Sequence, residues 1–111
     1  MISAILAKNI FGLFELDDDG NVRYSRSHAA GEGDPIVGQN FFDLFDMENS
    51  HGLRRHFKRF IESHDAADTF TFDCTFDENI VKAKVTMTRA FQTEDFPPES
   101  IVMVDIKESS Y

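Results

Sequence analysis

A chain of 111 residues, 41% of them apolar, has the size of one compact domain with one core, which excludes two ordinary domains. Twenty acidic against eleven basic side chains leave a net charge of -9, a balance that repels nucleic acid, whose binders carry a basic footprint. The single cysteine, Cys74, excludes an internal disulfide and is the ground for expecting a reduced, cytoplasmic setting.

The apolar start, residues 1–14, is broken by Lys8 and Asn9 and has neither the basic flank nor the cleavage site of a signal peptide. No stretch approaches the ~20 apolar residues of a membrane span, so no membrane partner is expected. Ile2, Ile5, Leu6 and Asn9 recur at helical spacing and predict a short amphipathic helix over 1–9, stable only when docked on the domain or on a second copy. The domain proper is expected over 10–108, with a tail at 109–111.

Two apolar-rich runs follow, Phe11 to Leu16 and Val22 to Ser25, separated by Asp17-Asp18-Asp19-Gly20-Asn21. The Asp-Gly and Gly-Asn steps supply the positive backbone angles of a tight turn, which predicts a hairpin. Its acidic tip does not make a calcium loop: with Gly20 at the sixth position, Arg26 stands where the bidentate Glu belongs. From Arg26 to Asn40 the chain is rich in Ser, Ala, Gly and Asp, and Asp34-Pro35 forces an extended or turn conformation, so short helical turns are expected. Gly31-x-Gly33 is not a nucleotide fingerprint, because Ile36 occupies the place of the third glycine.

Phe41, Phe42, Leu44 and Phe45 form an apolar knot on a predicted helical turn. The clearest helix runs from an Asn49 or Ser50 cap to about Ser63, with Leu53, Phe57, Phe60 and Ile61 on one stripe and His56 at its border. Arg54, Arg55, Lys58 and Arg59 gather four of the eleven basic residues there, either as a solvated helix face or as a docking face or anion clamp.

The rest reads as strand. Phe70, Phe72, Cys74 and Phe76 alternate with Thr69, Thr71, Asp73 and Thr75, and Val81, Ala83, Val85 and Met87 alternate with Lys82, Lys84, Thr86 and Thr88. Asp77-Glu78-Asn79 turns the chain between them, Phe96-Pro97-Pro98 ends a loop, and Ile101 to Ile106 is a last strand, apolar on both faces. Two strands, a helical middle and three strands give an α+β architecture: a five-stranded antiparallel sheet with short helices and one longer helix on one face. Twelve phenylalanines without a tryptophan suit either an aromatic-lined pocket or a densely packed core.

This order resembles the PAS fold. The resemblance is carried by Phe14-Glu15-Leu16-Asp17-Asp18-Asp19-Gly20-Asn21-Val22, by Ile36-Val37-Gly38-Gln39-Asn40-Phe41-Phe42, and by Phe70-Thr71-Phe72-Asp73 followed by Val81-Lys82-Ala83-Lys84-Val85. Within that superfamily the Gly-x-Asn-Phe-Phe block is most similar to the photoactive yellow protein branch. That branch attaches a coumaroyl chromophore to a cysteine a few residues further on, where this chain reads Asp46-Met47-Glu48-Asn49, so the resemblance implies no covalent photosensor here. Tyr24 falls where the branch places a chromophore-contacting tyrosine. Cys74 faces inward by strand alternation and reads as a buried structural thiol. The residue cluster of flavin-binding blue-light domains is missing.

The resemblance implies a sensory, signalling domain whose ligand would lie between the helical middle and the inner sheet face. The expected pocket is Phe14, Leu16, Tyr24, Phe41, Phe57, Phe70, Phe72, Val85 and Met87, walls that suit a small apolar or aromatic molecule. The alternative cofactor is haem, ligated by His56 with Arg55 and Arg59 as propionate partners; His64 and His28 are weaker candidates. Sequence shows no nucleophile, paired-carboxylate or metal set at a recognised spacing, so no enzyme activity is expected. A homodimer is expected through Ile2, Ile5, Leu6, Phe11, Leu13, Ile101 and Met103, either to relay a signal to an effector in cis or in trans, or as a ligand-free structural dimerisation face.

Overall fold

The computed structural model describes residues 10–27, 36–44, 47–76, 79–94, 96 and 98–109. In chain order the elements are strands β1 (Gly12–Leu16) and β2 (Val22–Ser27), helices α1 (Phe41–Leu44) and α2 (Ser50–Glu62), and strands β3 (Ala67–Phe76), β4 (Asn79–Gln92) and β5 (Ser100–Glu108). The five strands form one antiparallel sheet in the order β2-β1-β5-β4-β3, the α+β arrangement expected from the pattern. The predicted helix over 1–9 lies outside the described residues.

The β1–β2 turn follows from its residues. Asp17 Oδ1 accepts the backbone N–H groups of Asp19 and Asn21, and Gly20 takes φ +89°, a left-handed angle that only glycine adopts without strain. Gly20 is needed a second time, because a Cβ there would lie 2.7 Å from Cε2 of Phe42. The turn and α1 are thereby held in direct contact.

Strand alternation puts Phe14, Leu16, Ala83, Val85, Met87, Val102, Val104 and Ile106 on the inner face, all buried. The helix stripe Leu53, Phe57 and Phe60 closes over them, with Phe41 and Phe42 of α1 between. Each such ring or branched side chain stabilises the fold by about 1.5–3 kcal/mol relative to exposure. The outer face is largely polar: Thr69 and Thr86 share a hydroxyl contact at 3.2 Å, and Lys107 pairs with Asp105 at 3.7 Å.

The entry to α2 departs from the expected cap. Asn49 occupies the N-cap position but gives the helix no side-chain bond. Its amide instead donates to Asp73 O at 2.6 Å and its carbonyl accepts from Thr75 N at 3.1 Å, so it fastens the helix entry to edge strand β3. Glu48 N donates to Thr75 O beside it, at 2.8 Å. Edge-strand backbone groups that would otherwise face solvent are thus satisfied by the incoming loop.

Candidate functional site

The aromatic residues assigned to the ligand space meet one another. Phe14 of β1 packs edge-on to Phe41 at 4.9 Å between ring centroids, Phe41 to Phe42 at 5.3 Å, and Phe42 to Phe57 of α2 at 5.3 Å. Such edge and tilted contacts add about 0.5–1.5 kcal/mol each beyond area burial, so the train couples the sheet mechanically to the long helix. Leu16, Val85 and Met87 lie buried in the same cluster.

Phe70 and Phe72 sit further along the inner face, under α2. The His56 ring stacks on Phe70 at 3.6 Å and 20°, and the Phe72 ring lies 3.6 Å from where a Cβ on Gly52 would stand. Two of the predicted pocket walls are therefore covered by the helix itself.

Tyr24 corrects the expected pocket. It pairs with Glu15 on β1, on the opposite face from Phe14, and is 43% exposed. A register shift between Glu15 and Leu16 changes the alternation of β2, a feature that pattern-reading along β2 alone misses.

His56 does not fit the haem alternative. Its Nε2 is bonded to Asp68 Oδ2 at 2.7 Å and one ring face is closed by Phe70, so the ring is committed to joining α2 to β3. Arg55 and Arg59 are exposed. His64 is exposed beyond the helix end, and His28 lies outside the described residues.

The dimer face also needs correction. Ile101 is 2% exposed within the single chain and is not available to a second copy, whereas Phe11 is half-buried, packed in part against the core cluster. Leu13 and Met103 remain partly exposed on the outer face. Ile2, Ile5 and Leu6 lie outside the described residues.

Three polar side chains that organise this site escape sequence reading. Asn40 donates to Asp19 O at 2.8 Å and Asn21 Oδ1 at 3.3 Å, while its Oδ1 accepts from Phe42 N at 3.1 Å and Arg54 at 3.2 Å, joining hairpin, α1 and α2 at one node. Arg89, projecting from β4, donates to the carbonyls of Phe60 at 2.5 Å, Ile61 at 3.1 Å and Asp65 at 2.7 Å, and also to that of Ser63. Helix ends leave such carbonyls without intrahelical partners, and a cation there also complements the helix dipole. A charged residue continuing the inward alternation after Met87 is the signal that could have found it. Ser25, the third, is buried on β2 with its hydroxyl unbonded.

Burial dominates the two shifted acids. It pushes the Cys74 thiol up to about 12, with the Asp73 charge adding to the rise. The Asp18 carboxyl is also raised, chiefly by burial; a backbone hydrogen bond at Ser100 opposes this, and the charges of Glu99, Asp17 and Asp19 reinforce it. Among the described residues, no group of three or more His, Cys, Asp or Glu side chains is placed to hold a metal ion, and no helix is long and apolar enough to cross a membrane.

No family model and no curated protein matches the chain. Among solved structures, the PAS domain of BvgS from Bordetella pertussis is similar with a TM-score of 0.59, covering 99% of this chain and 85% of that one at 9% sequence identity. At that identity the likeness establishes the fold, which is that of a PAS domain, and transfers no functional residue.

Proposed function

We propose that the chain is a non-enzymatic sensory and signalling domain in which a small apolar or aromatic ligand, or a protein partner, biases the packing of the helices on the inner sheet face. The observation that carries this reading is the ring train Phe14–Phe41–Phe42–Phe57 inside a PAS fold. A molecule that displaces any ring of the train shifts α2 relative to the sheet. Binding that favours one of two packings moves the population between them, and this is the physical content of sensing.

Output is relayed through the outer face to a second copy. Leu13 and Met103, partly exposed on neighbouring strands β1 and β5, support that route. The nearer kinship with the photoactive yellow protein branch rests on Gly38-Gln39-Asn40-Phe41-Phe42, whose Asn40 makes the node described above; without the cysteine, any ligand is held noncovalently.

Native mass spectrometry of the purified protein, paired with light scattering before and after ligand removal, tests the reading. A retained small molecule whose removal changes the oligomeric state supports it. A ligand-free protein whose mass and amide spectrum are indifferent to added aromatic compounds overturns the small-molecule reading and leaves a protein partner as the signal.

A further inference from the structure

Two phenylalanines at the β4–β5 end of the sheet stand outside the core cluster. Phe96, in the loop between the strands, is 98% exposed, and Phe91, near the end of β4, is 54% exposed. At about 200 Å² for a whole phenylalanine, the two rings present roughly 300 Å² to solvent, the scale of the largest apolar patch on an ordinary monomer, which is often functional. Where the β4–β5 register shifts between Arg89 and Phe91 there is also a cavity of about 320 Å³, lined by Arg89, Ala90, Phe91, Gln92, Ser100 and Ile101. Pro97 follows Phe96 in the sequence and restricts its backbone to extended angles, so little backbone freedom is left to lose on binding.

Charge decides what fits there. Ser100, in the cavity wall, gives the Asp18 carboxyl a backbone hydrogen bond; that carboxyl is raised chiefly by burial, and further by the charges of Glu99, Asp17 and Asp19. Glu94, exposed at the start of the loop that carries Phe96, has the same sign. Among the described residues, the cation paired with this group is Arg23, on Glu99. Two copies meeting on this face would bring their carboxylates together, and nucleic acid or an anionic membrane would be repelled. A partner that sets lysine or arginine around a large apolar side chain matches both the rings and the carboxylates.

We infer that the β4–β5 end is a docking surface for a basic, amphipathic segment of another protein. An apolar side chain of that segment enters the cavity beside Phe91 and Phe96, and its cations face Asp18, Asp19, Glu94 and Glu99. None of the rings of the train takes part, so the inference goes beyond the sensory reading and does not rest on it. Arg89 lines the cavity, so the docked segment touches the residue that closes α2.

The test is an amide-resolved NMR titration of the full chain with an amphipathic peptide of about 15 residues built from leucine and lysine. Two control peptides keep its pattern, one of leucine and glutamate and one of serine and lysine. The leucine-lysine peptide is expected to bind about tenfold more tightly than either control, with shifts centred on Asp18, Phe91, Gln92 and Ser100. Phe96→Ser, at a position too exposed to unfold the chain, is expected to weaken it about fivefold, and Phe91→Ser with Phe96→Ser about tenfold, to the level of the serine-lysine peptide. Binding that both variants leave unchanged, or that the serine-lysine peptide equals, reduces the contact to charge alone and overturns the surface. Equal binding of the leucine-glutamate peptide removes the carboxylates from recognition and overturns it as well. A wild-type mass that rises with concentration in light scattering, while that of Phe96→Ser does not, makes the rings a contact between copies and overturns the foreign partner.

Discussion

Replacing Arg89 by methionine removes the guanidinium that closes the C-terminus of α2 while keeping a stem of similar length. Four carbonyls, those of Phe60, Ile61, Ser63 and Asp65, lose a charged donor, and the cation over the Phe60 ring, 4.8 Å from its centroid, is lost as well. A hydrogen bond to a charged group is worth about 1.5–3 kcal/mol net, but four bonds sharing one half-buried guanidinium do not add, so the set is valued at about 3 kcal/mol. The helix dipole and the ring contact contribute about 0.5 kcal/mol each at partial exposure. Arg89→Met is therefore expected to lower stability by about 3–4 kcal/mol, a fall in Tm of roughly 10–20 °C for a domain of this size. Arg89→Lys keeps the charge but not the fork, and should recover about 1 kcal/mol. Urea denaturation followed by circular dichroism measures both variants, and amide exchange at Ser63 reports whether the helix end has opened. A loss below about 0.5 kcal/mol, the range of an ordinary surface substitution, or a lysine variant equal to wild type, refutes the assignment of Arg89 as the closure of α2.

Gly20→Ala and Gly38→Ala form a matched pair, since both positions have positive φ but only a Cβ at Gly20 meets a neighbour, Phe42 at 2.7 Å. Gly38→Ala should cost about 1–2 kcal/mol of backbone strain and Gly20→Ala about 1–3 kcal/mol more from overpacking; equal Tm values for the two would remove the close approach of turn and α1 from the account. Asn49→Ala should destabilise by about 1–3 kcal/mol through loss of both bonds to β3, whereas an intact edge-strand exchange pattern at Thr75 in that variant would contradict its fastening role. For Cys74, the folded thiol is raised to about 12 and the unfolded one ionises near 9, so the native state holds its proton longer than the unfolded state does. Stability from this group is complete below pH 9 and falls by about 1.4 kcal/mol per pH unit between pH 9 and 12, a slope that Cys74→Ala should lack in parallel pH-dependent urea titrations.

The period-two runs around Phe70–Phe76 and Val81–Met87, the helical stripe Leu53–Phe57–Phe60 and the Asp-Gly turn were legible because each is a local pattern whose spacing matches one element's geometry. The five-stranded antiparallel sheet followed from counting strands, whereas its order β2-β1-β5-β4-β3 is a property of the tertiary structure. Asn49 stands at the N-cap as its sequence position predicts, but its side chain has two possible uses, a helix N–H or the β3 backbone, and only the approach of the edge strand decides between them. Tyr24 was misplaced by one shift in pairing at Glu15 and Leu16, which moves a side chain to the other face without any mark in the local pattern. Likewise, Asp68 stands twelve residues from His56 in sequence and 2.7 Å away in space.

Composition and periodicity by themselves determined most of the secondary structure and the identity of most core residues, because burial and backbone geometry act on each short segment alone. The tertiary structure decided which inner-facing rings touch one another, that His56 is a joint between helix and strand, that Arg89 closes the helix, and that Ser25 is buried without a partner. Those are properties of pairs of segments far apart in the chain. Hydrogen bonds and ring contacts are short-ranged in space, so they become definite only when the fold has brought both partners together.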